Sequence, residues 1–341
     1  MPMPDAVPAL GPAGPFPRAR LGDHLERRWL HYAFRSPDGQ LSMIANLSRL
    51  GASGRLGERP QRMSVLLLHE EGCGWRSTQF NAAVDGKPWS AFRLPHPGPR
   101  LRVAGGSGTP AVNLRLTRTG RACTSQCAPF ATDQHLRWQS EPGVVARGSL
   151  RLDDVRYDDV YMVGYHERVR GRWGWPELGG WVFGFANDRA EPGSPPAHSV
   201  VFTLIQPPVP ADATTGSVML WRRGRLLRHF PRRRLDVAVV GLLGRDDVET
   251  VPPLAAMLGM PSAAPLPARL VIAASMGEDR LLLDVDADTA ARIVNPSETS
   301  LLPFGVHEVL GRCRVSGSVA GREVAFTTGA VVEFAGGAGA D

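Results

Sequence analysis

Apolar and polar side chains alternate with a period of two through almost the whole of this sequence, while the three- and four-residue spacing of a helix face is scarce. Successive strand side chains point to opposite faces, so the pattern is that of sheets. Arg28 to Phe34 and Leu41 to Leu47 flank Ser36-Pro37-Asp38-Gly39, a turn in which Pro presets φ and Gly accepts a positive φ. Comparable runs include Met63 to Leu68, Ala146 to Leu152, Val160 to Val169, Gly180 to Phe185, Val306 to Val315 and Glu323 to Phe334. Roughly sixteen strands emerge, a number that suits antiparallel barrels or strongly curved sheets, because closure hides sheet edges. Helix is expected only at Pro253 to Leu258 and Ala287 to Ile293. A chain of 341 residues exceeds one ordinary core of about 100 to 200 residues. The expected fold is therefore all-β, with two antiparallel β-barrel or curved-sheet domains packed against each other. Residues 1–20, rich in Pro, Ala and Gly, form a flexible tail; 21–187 and 198–336 form the halves, separated by the Pro- and Gly-bearing segment Asn187 to His198.

A formal charge of +6 raises nucleic acid as a partner. All but one of the 39 basic residues are arginine, however, as a GC-rich genome favours, and Lys87 sits in a Gly-Lys-Pro turn unsuited to Schiff-base chemistry. The dense patch from Arg222 to Arg234, with Trp221 and Phe230 beside it, reads as a solvated hairpin rim, and no nucleic-acid partner is expected. Four cysteines are too few for a disulfide scaffold; Cys123 and Cys127 read as thiols in a turn, and no metal site is expected from their spacing. The first twenty residues lack the basic start and apolar stretch of a signal peptide. The longest apolar run, Val237 to Leu243, is less than half a membrane span. The expected location is the cytoplasm, with contact at a membrane surface left open. No phosphate loop, dinucleotide fingerprint or nucleophile elbow is present, so no cofactor is expected.

The most unusual stretch runs from Tyr161 to Trp175, ending in Trp173-Gly174-Trp175 and followed by Trp181. On a strand, Tyr161, Val163, Tyr165, Glu167 and Val169 share one face, while Met162, His166 and Arg168 share the other. Glu167 thus stands among apolar and aromatic side chains, where burial disfavours the anion and makes a carboxyl a general acid. In Phe304 to Leu310 the same alternation groups Glu308 with Phe304, Val306 and Leu310, making it a second inward carboxyl beside His307. Each could equally be a salt-bridged wall residue. Glu323, Thr327 and Glu333 alternate against Val324, Phe326, Val332 and Phe334 and are expected to face solvent. Trp29, Trp75, Trp89 and Trp138 are expected in the core.

Three segments carry a family resemblance. Glu26-Arg27-Arg28-Trp29 through Tyr32, with Pro37-Asp38-Gly39 after it, resembles the opening strand and turn of the two-domain lipocalin-like proteins, a superfamily that includes carotenoid 1,2-hydratase, tocopherol cyclase and lipocalin-like Diels-Alderases. Gly164-Tyr165-His166-Glu167, shortly before Trp173, resembles the family's Gly-Tyr-His-Asp segment. Val315 to Gly321 and Ala330 to Phe334 resemble its closing hairpin. Glu167 replaces the usual Asp, so a carboxyl is kept for acid chemistry, and Arg168-Val169-Arg170 replaces polar and Trp residues, departures that count against carotenoid hydration itself. The resemblance implies two lipocalin-like halves and an apolar small molecule held in a cleft between them. The leading expectation is a cofactor-independent enzyme that hydrates, cyclises or closes a terpenoid or polyketide-like substrate. Glu167 and Glu308 would be its catalytic carboxyls, with Tyr165, His166, Trp173, Trp175, Trp181 and His307 contacting substrate. A non-catalytic carrier of a hydrophobic molecule is the alternative.

Overall fold

The computed structural model describes residues 25–51, 61–83, 92–93, 100–104, 109–131, 134–173, 179–189, 194–206, 215–251, 266–295 and 304–337. Among these there is no α-helix; two curved antiparallel half-barrel sheets account for the fold. The first sheet holds β1 (Glu26–Arg35), β2 (Leu41–Leu50), β3 (Gln61–Glu70), β4 (Gly74–Ala83), β5 (Phe92–Arg93), β6 (Arg100–Val103), β7 (Ala111–Arg118), β8 (Cys123–Ala131), β9 (Gln134–Leu152) and β10 (Val155–Arg172). The second holds β11 (Gly180–Asn187), β12 (His198–Gln206), β13 (Thr215–Arg222), β14 (Arg225–Pro231), β15 (Leu235–Leu242), β16 (Val248–Val251), β17 (Pro267–Met276), β18 (Asp279–Asn295), β19 (Phe304–Val319) and β20 (Arg322–Gly337).

The two sheets repeat one plan. Four strands meander outward, β1 to β4 and β11 to β14, and the first strand of each half then pairs with its last, β1 with β10 and β11 with β20. The sequence shows no exact repeat, so the duplication is visible only in the strand order. The chain leaves the first sheet at Arg172 and enters the second at Gly180, so β11, grouped with the first half by the Pro-rich boundary, pairs wholly within the second. Ala287 to Ile293, expected as a helical turn, lies inside β18; its Ala-rich pattern is overridden by pairing to β19. Cys123 and Cys127 lie on β8 rather than in a turn. Pro253 to Leu258, Trp89, Trp175 and residues 1–20 lie outside the described residues.

Each sheet buries one face in a core of its own, and the other faces of the two sheets pack together. Strand alternation divides the work: on β1, Leu30, Tyr32 and Phe34 enter the first sheet's core, whereas Trp29 and Ala33 enter the shared one. On β20, Val332 is in the second sheet's core and Val331 and Ala335 in the shared one. Both faces of these central strands are therefore buried. Arg35 crosses the junction, its Nη1 donating to the carbonyls of Gly311 at 2.6 Å and Ala330 at 3.2 Å. Arg35→Leu removes charge-assisted bonds and leaves two carbonyls without their donor. Chemical denaturation should show a loss of about 1.5 to 3 kcal/mol; no loss would mean that the Arg35 bonds contribute nothing net to the junction.

The arginine-rich segment forms the β13–β14 hairpin, whose turn at Arg223 and Gly224 takes positive φ. Trp221 and Phe230 are fully buried, Trp221 Nε1 donates to the Arg121 carbonyl at 3.0 Å, and neither ring is presented for stacking on a base. Among the described residues no helix is long and apolar enough to cross a membrane.

Candidate active site

Three glutamates and a histidine meet in the shared core, close to the middle of the packed faces. Glu167 comes from β10, His31 from its neighbour β1, Glu308 from β19 and Glu333 from β20. All four are essentially buried. His31 lies directly opposite Glu167 across the β1–β10 pair, and Glu308 lies directly opposite Glu333 across the β19–β20 pair.

Glu167 is held from three sides. Its Oε1 accepts Trp29 Nε1 at 2.9 Å, and its Oε2 accepts Trp138 Nε1 at 2.6 Å and the Tyr165 hydroxyl at 3.0 Å. Tyr165 and Ser140 are joined at 2.8 Å and Ser140 and Ser125 at 3.1 Å, so a chain of hydroxyls backs the carboxyl. Burial, and then the neighbouring Glu333 charge, push Glu167 up to about 8, while the three donors pull the other way. The close backbone approach beneath this motif requires Gly164, where a Cβ would stand 1.9 Å from the Ala33 carbonyl.

The second pair behaves differently. Trp181 Nε1 donates to Glu333 Oε1, and Glu308 and Glu333 share a hydrogen bond, which two carboxyls can make only when one of them is protonated. Burial drives both above the ordinary carboxylate range, Glu308 furthest. Glu308 Oε2 has no hydrogen-bond partner. Beside it, His31 Nδ1 is 3.9 Å from Glu308 Oε1, neither His31 nitrogen has a hydrogen-bond partner, and burial lowers the imidazole to about 3, which keeps it neutral. Among the described residues His31, Glu308 and Glu333 are the group whose ligand atoms, all within 4.8 Å of one another, could grip a cation. A cation there would have to displace the proton that joins the two glutamates.

The walls are aromatic. Trp29 and Trp181 stack at 5.7 Å, Trp173 packs edge-on to Trp29 at 5.5 Å, and Phe183 lies 6.0 Å from the His31 ring. The duplicated plan explains the layout. Trp29 on the first strand of one half donates to Glu167 on its last; Trp181 on the first strand of the other half donates to Glu333 on its last. Register makes the equivalence strict, with His31 opposite Glu167 as Phe183 is opposite Glu333, and Ser140 opposite Glu167 as Glu308 is opposite Glu333.

The structure thus brings Glu167, Glu308, Tyr165, Trp173 and Trp181 together. His166 and His307 point to the opposite faces of their strands: His166 stacks on Tyr32 at 4.1 Å with Nδ1 3.0 Å from the His31 carbonyl, and His307, lowered to about 4 by burial, lies buried away from the shared core. Glu333, expected to face solvent, is buried at the centre of the site. The alternation was read correctly, but it cannot tell solvent from a second buried face. His31 and the roles of Trp29 and Trp138 were not foreseen. One signal could have found Glu333: the two-residue turn Ala320-Gly321, both at positive φ, joins Val319 to Arg322, and counting back from it sets Glu333 opposite Glu308.

The sequence matches no family model and no curated protein. Solved structures match over nearly the full length. They include a putative AttH from Nitrosomonas europaea, 15% identical with a TM-score of 0.60, covering 98% of this chain and 99% of that one. Kievitone hydratase from Nectria haematococca is 11% identical with a TM-score of 0.55, covering 92% and 90%, and CghA with Sch210972 is 12% identical with a TM-score of 0.53, covering 91% and 87%. Similarity at these identities is similarity of fold, and it agrees with the strand plan and the three sequence segments: this chain has the two-domain lipocalin-like fold.

Proposed function

We propose that the chain is a cofactor-independent enzyme that protonates a carbon–carbon double bond of a hydrophobic terpenoid or polyketide-like molecule at the junction of its halves, with water addition or ring closure following. The observation that carries this reading is the Glu308–Glu333 pair, two buried carboxyls joined by a hydrogen bond, with one Glu308 oxygen unpartnered. Glu308 gives its proton to one alkene carbon, and the π pair leaves the other carbon cationic. The indole faces of Trp29 and Trp181 favour that cation, and the carboxylate left on Glu308, with Glu333 beside it, supplies the negative charge that balances it. In hydration, water adds its oxygen pair to the cation and loses a proton to Glu333; transfer along the Glu308–Glu333 hydrogen bond restores the starting state. In cyclisation a second π bond replaces water as the electron donor. Glu308 is the better donor than Glu167, whose two oxygens already accept three hydrogen bonds. Kievitone hydratase, which shares the fold, is a hydratase by name.

Incubating the protein with kievitone and with terpenoid alkenes in oxygen-18 water, followed by mass spectrometry, tests the proposal. A product heavier by one labelled water, or an isomer of unchanged mass, is the expected result, and it should be insensitive to chelators. Recovery of bound but unaltered compounds would make the protein a carrier. Activity lost on chelation and restored by a divalent ion would replace the shared proton with a metal at His31, Glu308 and Glu333.

A further inference from the structure

Strand register sets five arginines side by side. Arg62 on β3 is opposite Arg49 on β2, Arg49 is opposite Arg28 on β1, Arg28 is opposite Arg170 on β10, and Arg170 is opposite Arg137 on β9. Directly opposed residues project to the same face, so the guanidinium groups form one row across five adjacent strands, about 19 Å long at about 4.8 Å per strand. The row lies on the face that carries the first sheet's own core, opposite to the face that bears Trp29 and Glu167. Two residues further in, it borders Leu30 and Leu47, both buried members of that core.

Like charges directly opposed on a sheet are destabilising. The acid adjacent to the row on this face, among the described residues, is Glu26, and it closes on Arg28. Glu141, four residues along, is engaged by Arg118 at 2.7 Å. Arginine abundance alone does not produce such a row. On the second sheet Arg269 stands opposite Asp286 and Arg314 opposite Asp284, and the four interleave into ion pairs of 2.6 to 2.9 Å. Arg62 Nε is buried without a hydrogen-bond partner, and burial, with Arg28 and Arg62 adding to it against Glu26, pushes Arg49 below the usual guanidinium range. Arg49 is buried, Arg62, Arg28 and Arg137 are half-buried with Arg137 Nη2 donating to the Thr124 hydroxyl at 3.5 Å, and Arg170 is exposed. The row is therefore open to solvent towards its β10–β9 end, at Arg170.

We propose that the row Arg62, Arg49, Arg28, Arg170 and Arg137 binds the phosphoryl group of a phosphorylated small molecule or lipid. A phosphoryl dianion offers three oxygens to planar guanidinium forks, the bidentate match that makes arginine rather than lysine the residue for this chemistry. This site is separate from the buried glutamates and stands whether or not the protein is an enzyme.

The test is calorimetric titration of the full chain with inorganic phosphate and pyrophosphate at matched ionic strength, with co-sedimentation on phosphatidylcholine vesicles with and without phosphatidate. Saturable binding, weakened at least tenfold in the double variant R137Q/R170Q at the open end, is expected. Phosphatidate-dependent capture would identify a lipid headgroup, and pyrophosphate binding without capture a soluble phosphate ester. Relief of repulsion should also keep or raise the ligand-free Tm of R170Q. Absence of saturable binding in both arms overturns the proposal, as does a lowered Tm in R170Q with unchanged affinity, which would mean that the protein itself satisfies the row.

Discussion

Glu308→Gln is expected to lower kcat by about 10²- to 10⁴-fold at neutral pH, the usual contribution of a positioned acid, while leaving the fold intact. Glutamine has the shape of the protonated carboxyl and can donate its amide N–H to Glu333, so the hydrogen bond between β19 and β20 survives. What it lacks is a proton to release. Near-UV circular dichroism and Tm at pH 7 should match the parent, which separates a chemical loss from a structural one. Glu167→Gln differs: its amide would meet the N–H groups of Trp29 or Trp138, donor against donor, in a buried site. That variant should lose stability as well as activity, on the order of 1 to 3 kcal/mol for an unsatisfied buried group. Unchanged turnover in Glu308→Gln, measured on any compound the parent transforms, would remove the acid role.

Stability should fall as pH rises above about 6.5. In the unfolded chain Glu167 ionises near its ordinary 4.5, but in the folded protein only at about 8. Between those values the unfolded state releases a proton that the folded state keeps, so this carboxyl's contribution, whole below 4.5, is lost progressively up to about 8. At about 1.4 kcal/mol per unit, the loss from Glu167 is on the order of 3 to 5 kcal/mol. Glu308 and Glu333, raised as well, act with the same sign. The buried imidazoles oppose them: His31 and His307 are lowered to about 3 and about 4 from 6.5, so below 6.5 the unfolded chain takes up protons that the folded one refuses. A plateau between about 4.5 and 6.5, with declines on both sides, is the expected profile in urea titrations across pH. Glu308→Gln should flatten the alkaline decline. Stability that rises from pH 5 to 8 would show that the fold holds its carboxyls ionised.

Much of this was legible in the sequence because strands write their faces into it. Alternation through Tyr165, Glu167 and Val169 identified the residues that share a face, and hence a carboxyl among rings. It could not say which body that face would meet. In β20 the same rule grouped Glu333 correctly and then assigned it to water, because a strand buried on both sides and one buried on one side can carry the same polar residue. Trp29 was assigned to the core on size, whereas its Nε1 orients Glu167; an indole hydrogen bond leaves no trace in spacing. The arginine row was invisible for a related reason: its members lie in five segments far apart in sequence, and only register aligns them.

The matched pairs Trp29–Glu167 and Trp181–Glu333 give the chain the logic of a homodimer made continuous. Two identical subunits would be bound to carry the same residue at equivalent points, serine at both or glutamate at both. Once joined in one chain, the copies can differ: Ser140 backs Tyr165 in one half while Glu308, its counterpart, shares a hydrogen bond with Glu333 in the other, and His31 stands where the other half has Phe183. Fusion is thus what permits a centre with a left and a right, and a centre of that kind can treat the two ends of a single bond unequally.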